Sequence, residues 1–296
     1  MAERADPRAR IDYFHGFAPW ILTRPPRPYV AWSDCTFRDY IDIFHDRRQF
    51  QPPDLARIEA AEGRWLRGAR RVLFSSEWAR GRAIALYGLD PGRVASLGIY
   101  GALEAPEDDA FESPGRFVFI STNYAAKGGP VVVAAFRQLR ETHPDAQLTI
   151  VGAAPPQPID DPSIRSIGFL RKEEPNEHQR YRELLATATA IVHPTRGDVS
   201  PLVLIEAALF GCPAISSRAF AIPELVDDGV SGLLLDDPTD PVAVAGAMRR
   251  LLEHPDEHLA MRAAAWRRAR EVHSLAAFEG RLLAEVDAVL AEAASD

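Results

Sequence analysis

Short apolar runs alternate with longer amphipathic stretches through the first hundred residues, which is the pattern of strands that alternate with helices. This pattern predicts strands at 11–17, 27–32, 71–74 and 93–99, and helices at 36–50, 54–70 and from Ser76 onward. Inside 54–70, the apolar side chains that recur at helical spacing are Leu55, Ile58, Trp65 and Leu66. Strands and helices that alternate in this way form βαβ units and pair as a parallel sheet.

A second series begins at Phe117, after an acidic, turn-rich stretch at 100–116 that has no periodic apolar face and indicates a linker. Its predicted strands are 117–121, 147–152, 163–167, 190–192 and 212–216. Its predicted helices are 131–140, 177–186, one that carries Glu206, a short one with a turn in 222–232, and then 241–252, 255–272 and 275–293. The sequence pattern thus predicts an α/β fold with one domain at 1–105, a second at 106–272 and a C-terminal helix at 273–296. That amphipathic helix packs back toward the first domain or, alternatively, makes a peripheral contact with a membrane.

The composition is that of a globular protein, with 47% apolar and 26% charged residues among 296. The net charge of −8 argues against nucleic acid as a partner, because there is no basic excess to neutralise phosphates. Cys35 and Cys212 are too few for a disulfide framework and fit a reducing cytoplasm. No apolar run is long enough to span a membrane, and the N-terminus lacks the apolar core of a secretory signal. We therefore expect a cytoplasmic protein without a transmembrane segment.

Three loops of the second half follow predicted parallel strands, so the sheet brings them to one edge. They contain Lys127, the residues after Gly152, and the stretch from His193 to Ser200, which leads into the helix of Glu206. A cation, backbone amides and two carboxylates in one place suit a nucleotide diphosphate that carries a sugar. Taken singly, the lysine is more typical of a solvated surface loop and Glu206 fits an ordinary charge on a helix surface, so the prediction rests on their combination.

The second half resembles the donor-binding domain of family-4 retaining glycosyltransferases of the GT-B type. The resemblance covers about residues 93–290, and its blocks in order are FVFIST, KGG, PDAQLTIVGAAP, IGFL, ATAIVHPT, DVSPLVLIEA, FGCPAI and IPELVDDGVSGLLL. It implies that Lys127 binds the donor phosphates, that Glu206 binds the ribose and that Asp198 is the acid beside the sugar. The implied donor site also includes Thr122, Asn123, Gly152, Leu170, Arg171 and the amides of Val199, Ser200, Pro201 and Leu202.

Two positions depart from the pattern of that family. Asp198 stands where a glutamate is usual, which shortens the acid by one methylene. Thr122 stands where an arginine is usual, so one phosphate cation is missing, and Asn123 or Arg171 would have to compensate. A lost charge-assisted hydrogen bond typically costs about 1.5–3 kcal/mol, so the sequence predicts weaker donor binding unless another group replaces it.

The first hundred residues resemble only the later part of the family's N-terminal domain, through IDYFHG, RPYVAWSD and FSSEWARGRAIALYGLDPGRVASLGIYG. About a hundred residues before them have no counterpart, which fits either a fragment or a natural short form, and the sheet would then expose an edge. Asp34 takes the place of a histidine near the acceptor. It is either an acid that orients or deprotonates an acceptor hydroxyl, or a turn or N-cap acid. His15 is structural or on the acceptor side.

The sequence from His254 to His258, HPDEH, matches an inverted zinc-protease signature. Because Pro255 fits the first position of a helix, the two histidines need not share a face, and we do not predict a metal site. The sequence therefore predicts a metal-independent retaining glycosyltransferase without a cofactor. It uses a nucleotide diphosphate sugar as donor and a glycan, lipid or small molecule as acceptor. The alternatives are a non-catalytic nucleotide-sugar-binding relative and a GT-B-like epimerase or phosphorylase.

Overall fold

The structure is a computed structural model that describes residues 9–106 and 115–295, with side chains up to residue 292. The chain forms two compact units, one of Met1–Ile99 with Ala276–Asp296 and the other of Tyr100–Leu275. The predicted linker at 100–116 extends over residues 107–114, which lie outside the described residues. The domain boundaries at 105/106 and 272/273 stay predictions.

The first unit is built on a four-stranded parallel sheet in the order β1-β2-β3-β4. Its strands are β1 (Asp12–His15), β2 (Tyr29–Ser33), β3 (Arg71–Phe74) and β4 (Val94–Ser96), and its helices are α1 (Phe37–Phe44), α2 (Pro52–Gly68), α3 (Glu77–Tyr87) and α10 (Leu275–Ser295). The Ser76 hydroxyl accepts from the Ala79 N–H at 3.1 Å, so the predicted capped start of α3 is confirmed.

The helix predicted at 36–50 and the strand predicted at 93–99 are both much shorter than expected. The helix predicted at 36–50 stops at Phe44, because Asp46 caps a separate 3₁₀ turn at Arg47–Gln49 by accepting from the Arg48 N–H. The strand predicted at 93–99 is confined to Val94–Ser96 between another 3₁₀ turn at Pro91–Arg93 and Gly98, whose φ is +69°. Local caps and a left-handed glycine therefore set both boundaries.

The sheet of the first unit is covered by α2 on one face and by α10 on the other. Trp65 and Leu66 of α2 are buried with Phe17, Tyr29 and Phe74. On the other face, Val289, Phe278 and Leu282 of α10 pack against the cluster of Val30, Leu73 and Leu97. Two glutamates of the helix bind Arg71: Glu285 at 3.0 Å and Glu292 at 3.0 Å.

The second unit contains a six-stranded parallel sheet in the order β10-β9-β8-β5-β6-β7. Its strands are β5 (Arg116–Ser121), β6 (Gln147–Gly152), β7 (Ile164–Ser166), β8 (Ala190–His193), β9 (Ala214–Ser217) and β10 (Gly232–Leu235). Its helices are α4 (Gly129–Arg140), α5 (Pro175–Thr187), α6 (Leu202–Leu209), α7 (Ile222–Leu225), α8 (Pro241–Glu253) and α9 (Pro255–Val272). The predicted α/β fold with parallel sheets is confirmed, although strand β10 was not predicted.

The strand order reverses direction between β5 and β8. From β5 the chain builds outward through β6 and β7, and it then returns to place β8, β9 and β10 on the other side. The loops after β5 and β8 therefore diverge and leave a crevice between them. Open α/β sheets bind ligands in such a crevice, at the carboxyl ends of the parallel strands.

Helix α9 joins this sheet through buried polar side chains. The Nε2–H of His258 donates to the Thr189 carbonyl at 2.7 Å, and Arg262 donates to the carbonyls of Ala186, Ala188 and Phe210. His258 is fully buried whereas His254 is exposed. The first histidine of the HPDEH sequence is therefore an exposed residue at the start of α9, whereas the second is buried and bonded to the backbone.

Candidate functional site

A cleft of about 500 Å³ opens in the second unit at the point where the strand order reverses. Its volume falls within the range of about 300–1,000 Å³ that is usual for small-molecule sites. The wall is formed by the ends of β5, β6 and β8, the start of α6, and the turn before α5. Its lining residues of opposite charge are Lys127, Lys172, Asp198 and Glu206.

Lys127 connects the loop after β5 to the loop after β8. Its ammonium donates to the Asp198 Oδ2 at 2.5 Å and to the Gly197 carbonyl at 2.6 Å. The His193 Nε2 lies 3.6 Å from the same Oδ2, which is too long for a hydrogen bond. Burial raises the pKa of Asp198, but the neighbouring His193 and Lys127 outweigh it and hold that pKa below its ordinary value. Asp198 is therefore a carboxylate at neutral pH.

Two glycines allow the loops to approach one another this closely. Gly128 has a φ of +88°, and a Cβ there would lie 2.6 Å from the Pro194 carbonyl oxygen. Gly152, at the end of β6, has a φ of +98°, and a Cβ there would lie 2.1 Å from the Ser121 carbonyl oxygen. Both positions combine a left-handed backbone with direct backbone contact, so only glycine fits.

Glu206 lies at the opposite wall and has both carboxylate oxygens occupied. Lys172 donates to Oε1 at 2.5 Å, and the Tyr181 hydroxyl donates to Oε2 at 2.7 Å. The Lys172 ammonium also lies over the Tyr181 ring, 4.7 Å from its centroid. Burial raises the pKa of Tyr181 above its ordinary value, so its hydroxyl stays protonated as a donor.

Nine of the predicted site residues line this cleft. They are Thr122, Lys127, Gly152, Leu170, Asp198, Ser200, Pro201, Leu202 and Glu206. Sequence reasoning missed Lys172, Tyr181 and His193. Lysine occurs only at 127 and 172, and this rarity was the available signal for Lys172. His193 was named only as the first residue of its loop, and nothing in the sequence singled out Tyr181.

Other predicted donor residues do not line the cleft. Arg171 bonds to Glu177 at 2.6 Å, and Asn123 accepts from the Ala126 N–H at 3.1 Å. Val199 is buried and its carbonyl accepts from Ala221. Pro201 lines the cleft but, as a proline, has no N–H to offer, which corrects the expectation of amides throughout 199–202.

Asp34 lies in the first unit, just beyond the end of β2, where it lines a cavity of about 200 Å³ with Tyr40 and Glu62. Thr36, and not Asp34, caps α1 by accepting from the Asp39 N–H at 3.2 Å, which rules out the N-cap reading. His15 stacks on the ring of Trp32 with centroids 4.7 Å apart.

The part of the chain that the structure describes contains neither a cluster of metal-binding side chains nor a membrane-spanning helix. Within 9–106 and 115–295, no group of three or more His, Cys, Asp or Glu is placed to hold a metal ion. Across the same ranges, no helix combines the length and the apolar composition needed to cross a bilayer.

Comparison with known proteins gives one family match and several relatives. Residues 114–254 match the family model described as glycosyl transferases group 1. A D-inositol 3-phosphate glycosyltransferase from Corynebacterium kroppenstedtii is 28% identical over 277 residues, which cover 84% of this chain and 60% of that protein. A glycogen synthase from Mycobacterium tuberculosis is 33% identical over 160 residues, which cover 53% of this chain and 37% of that protein. The chain thus spans less than two thirds of either relative.

Solved structures extend the likeness over nearly the whole chain. Sucrose-phosphate synthase from Thermosynechococcus elongatus aligns with a TM-score of 0.72 at 18% identity, over 94% of this chain and 74% of that one. Anabaena Alr3699/HepE, solved in complex with UDP-glucose, aligns with a TM-score of 0.64 at 17% identity, over 88% and 72%. Residues 114–254 therefore carry a match to the glycosyl transferases group 1 family, in a chain whose fold is that of the GT-B glycosyltransferases.

Proposed function

We propose that this protein is a glycosyltransferase that moves a sugar from a nucleotide diphosphate sugar to an acceptor hydroxyl, with retention of anomeric configuration. The observation that carries the proposal is the cleft with its two lysine–carboxylate pairs at the reversal of strand order. The family match covers the same segment of chain. The solved neighbour in complex with UDP-glucose supports the choice of donor class.

Each charged group of the cleft has a proposed task. Lys127 meets the charge that develops on the leaving diphosphate, together with the first N–H groups of α6 at Leu202 and Val203. Glu206 accepts from the ribose hydroxyls, and Asp198 lies on the sugar side. Charge stabilisation of this kind needs no metal ion.

The acceptor side is proposed for the first unit. Asp34 is exposed and lines a cavity, so it is available to orient or deprotonate an acceptor hydroxyl, a contribution of about 10²–10⁴ in rate where it operates. The acceptor is a glycan, a lipid or a small molecule. Cys35 and Cys212 are free thiols, which supports the proposal of a reducing, cytoplasmic location.

The test uses UDP-, GDP- and ADP-sugars as donors. Calorimetry measures their binding, and mass spectrometry of the released nucleoside diphosphate measures turnover. Glu206→Gln is the critical variant, because it removes the charge but keeps the size of a side chain that is 7% exposed. We expect about a 10- to 100-fold loss of donor affinity. Glu183→Gln, an exposed glutamate on α5 outside the cleft, is the matched control.

The outcomes separate the proposal from its alternatives. Donor binding without hydrolysis or transfer would favour a non-catalytic binding protein. Activity that depends on inorganic phosphate, or that needs no acceptor and changes the sugar itself, would favour a phosphorylase or an epimerase. Equal donor affinity of Glu206→Gln and the wild type would remove the ribose role of Glu206.

A further inference from the structure

The two lysines of this chain both line the same cleft. All other members of its 34 basic residues are arginines. Lys127 pairs with Asp198 and Lys172 pairs with Glu206, each at 2.5 Å. Among the described charged side chains of the cleft wall, positive and negative charges therefore cancel in pairs.

A nucleoside diphosphate requires more than this neutral arrangement. Its phosphates carry at least two negative charges, and they are stabilised by cations that are free to face them. Ribose hydroxyls are neutral donors, and an ionised carboxylate has enough acceptor sites to bind both hydroxyls of the diol. A ribose on Glu206 would therefore satisfy the carboxylate and release the positive charge of Lys172.

The two partners of this pair differ in how far they are fixed. The Glu206 side chain is 7% exposed, lies on α6 and is held from the other side by the Tyr181 hydroxyl. The Lys172 side chain is 38% exposed and sits in the turn before α5, which is closed by the Glu174 N–H bonding to the Arg171 carbonyl. A lysine moves its ammonium through four flexible methylenes. Lys172 is thus the partner able to move.

We propose that Lys172 is the second diphosphate cation of this cleft and that it exchanges with the ribose on Glu206. Without a ligand, its ammonium occupies Glu206. When a nucleoside diphosphate binds, the ribose diol takes Glu206 and the ammonium turns to the phosphates. This inference rests on the proposed function, and it gives the cleft a second cation although position 122 is a threonine.

The first experiment compares the affinities of a nucleoside and its diphosphate. Calorimetry with uridine and UDP, guanosine and GDP, and adenosine and ADP gives the gain in affinity that the phosphates supply. For Lys172→Met we expect this gain to shrink by about 10- to 100-fold. The affinity for the nucleoside alone should hold or rise, because the ammonium no longer competes for Glu206.

Three variants make the result specific. Lys172→Arg keeps a cation and should recover most of the gain. Arg180→Met removes one positive charge from the exposed surface of α5, outside the cleft, and should leave both affinities unchanged. Arg171→Met tests the neighbouring residue, whose guanidinium is bonded to Glu177. Loss of the gain in Arg171→Met but not in Lys172→Met would overturn the proposal.

The second experiment follows the lysines directly by NMR. Protein labelled with ¹³C-lysine gives one set of Cε–H signals for each of the two lysines, assigned by Lys172→Arg. We expect a nucleoside to move the Lys172 signals and leave those of Lys127 in place, whereas its diphosphate moves both. Lys172 signals that do not respond to the diphosphate would also overturn the proposal.

The two proposals fail in different ways. A wild-type protein that binds none of the three nucleoside diphosphates would remove the proposed function and the Lys172 exchange together. If the wild type binds the diphosphate more tightly than the nucleoside, and Lys172→Met shows the same gain in affinity from the phosphates, only the Lys172 exchange is refuted.

Discussion

Glu62 is a buried acid beneath the turn that carries Asp34, and it makes the stability of the first unit depend on pH. It is 1% exposed, and its carboxylate accepts from the Phe37 N–H at 2.9 Å and from the Tyr87 hydroxyl at 2.5 Å. Burial outweighs these hydrogen bonds and raises the pKa of Glu62 from its ordinary value of 4.5 to about 7.

The sign follows from proton binding. Between pH 4.5 and about 7 the folded protein holds a proton on Glu62 that the unfolded chain has released, so the free energy of unfolding falls as pH rises through this window. Each unit of pKa difference is worth about 1.36 kcal/mol, so ionised Glu62 costs about 3 kcal/mol above pH 7. Glu62→Gln keeps a carbonyl acceptor for the Phe37 N–H and removes the titration.

We therefore compare the free energy of unfolding of Glu62→Gln with that of the wild type at two pH values. The difference, variant minus wild type, should be about 2.5 kcal/mol larger at pH 8 than at pH 5. Urea unfolding followed by tryptophan fluorescence measures this, because four of the five tryptophans lie in the first unit and only Trp266 in the second.

Glu59→Gln is the matched control for this measurement. Glu59 lies on the same helix, and although burial raises its pKa, its bonds to Arg38 and Arg47 hold that pKa below the ordinary value. Glu59→Gln removes this carboxylate and should destabilise the protein at neutral pH. A gap between Glu62→Gln and wild type that stays constant from pH 5 to pH 8 would refute the raised pKa of Glu62.

Two predictions concern the cleft itself. Asp198→Asn removes the charge partner of Lys127, so turnover should fall by about a hundredfold or more while the affinity for nucleoside diphosphate holds or rises. Steady-state kinetics measures the turnover and calorimetry measures the affinity. A parallel loss of turnover and affinity would contradict the sugar-side role of Asp198. Gly152→Ala would force a Cβ to 2.1 Å from the Ser121 carbonyl oxygen at a φ of +98°, so it should cost about 3 kcal/mol or more in urea unfolding. The control is Gly246→Ala, since a Cβ on that helical glycine meets no atom within 4 Å apart from its chain neighbours and the backbone of its own helix. Equal stability of the two alanine variants would show that the strand ends can separate.

The loops of the candidate site could be predicted because they follow directly from local pattern. A run of apolar residues that ends in a polar loop marks the carboxyl end of a strand, and parallel pairing brings such ends together. Lys127, Gly152 and Asp198 were found in this way. Strand β10 was missed because Gly232–Leu235 is a short, fully buried apolar run without alternation, which periodicity cannot assign.

The pairing of side chains could not be read from the sequence. Arg171 and Lys172 are neighbours of the same charge. The sequence indicated Arg171, with Asn123 as the alternative, as the group that compensates for Thr122. The turn before α5 directs Arg171 to Glu177 and Lys172 to Glu206, which lies 34 positions further along. Tyr181, which lies within α5 itself, donates its hydroxyl to the same carboxylate of Glu206.

The sequence by itself thus determined most of the strands and helices, their parallel pairing and the loops of the candidate site, because these depend on periodicity and on residues close together in the chain. Tertiary structure alone decided which cation meets which acid, which carboxylates are buried and how their pKa values shift. Those properties depend on distances of a few ångströms between groups that are remote in sequence, and on the water that packing excludes from them.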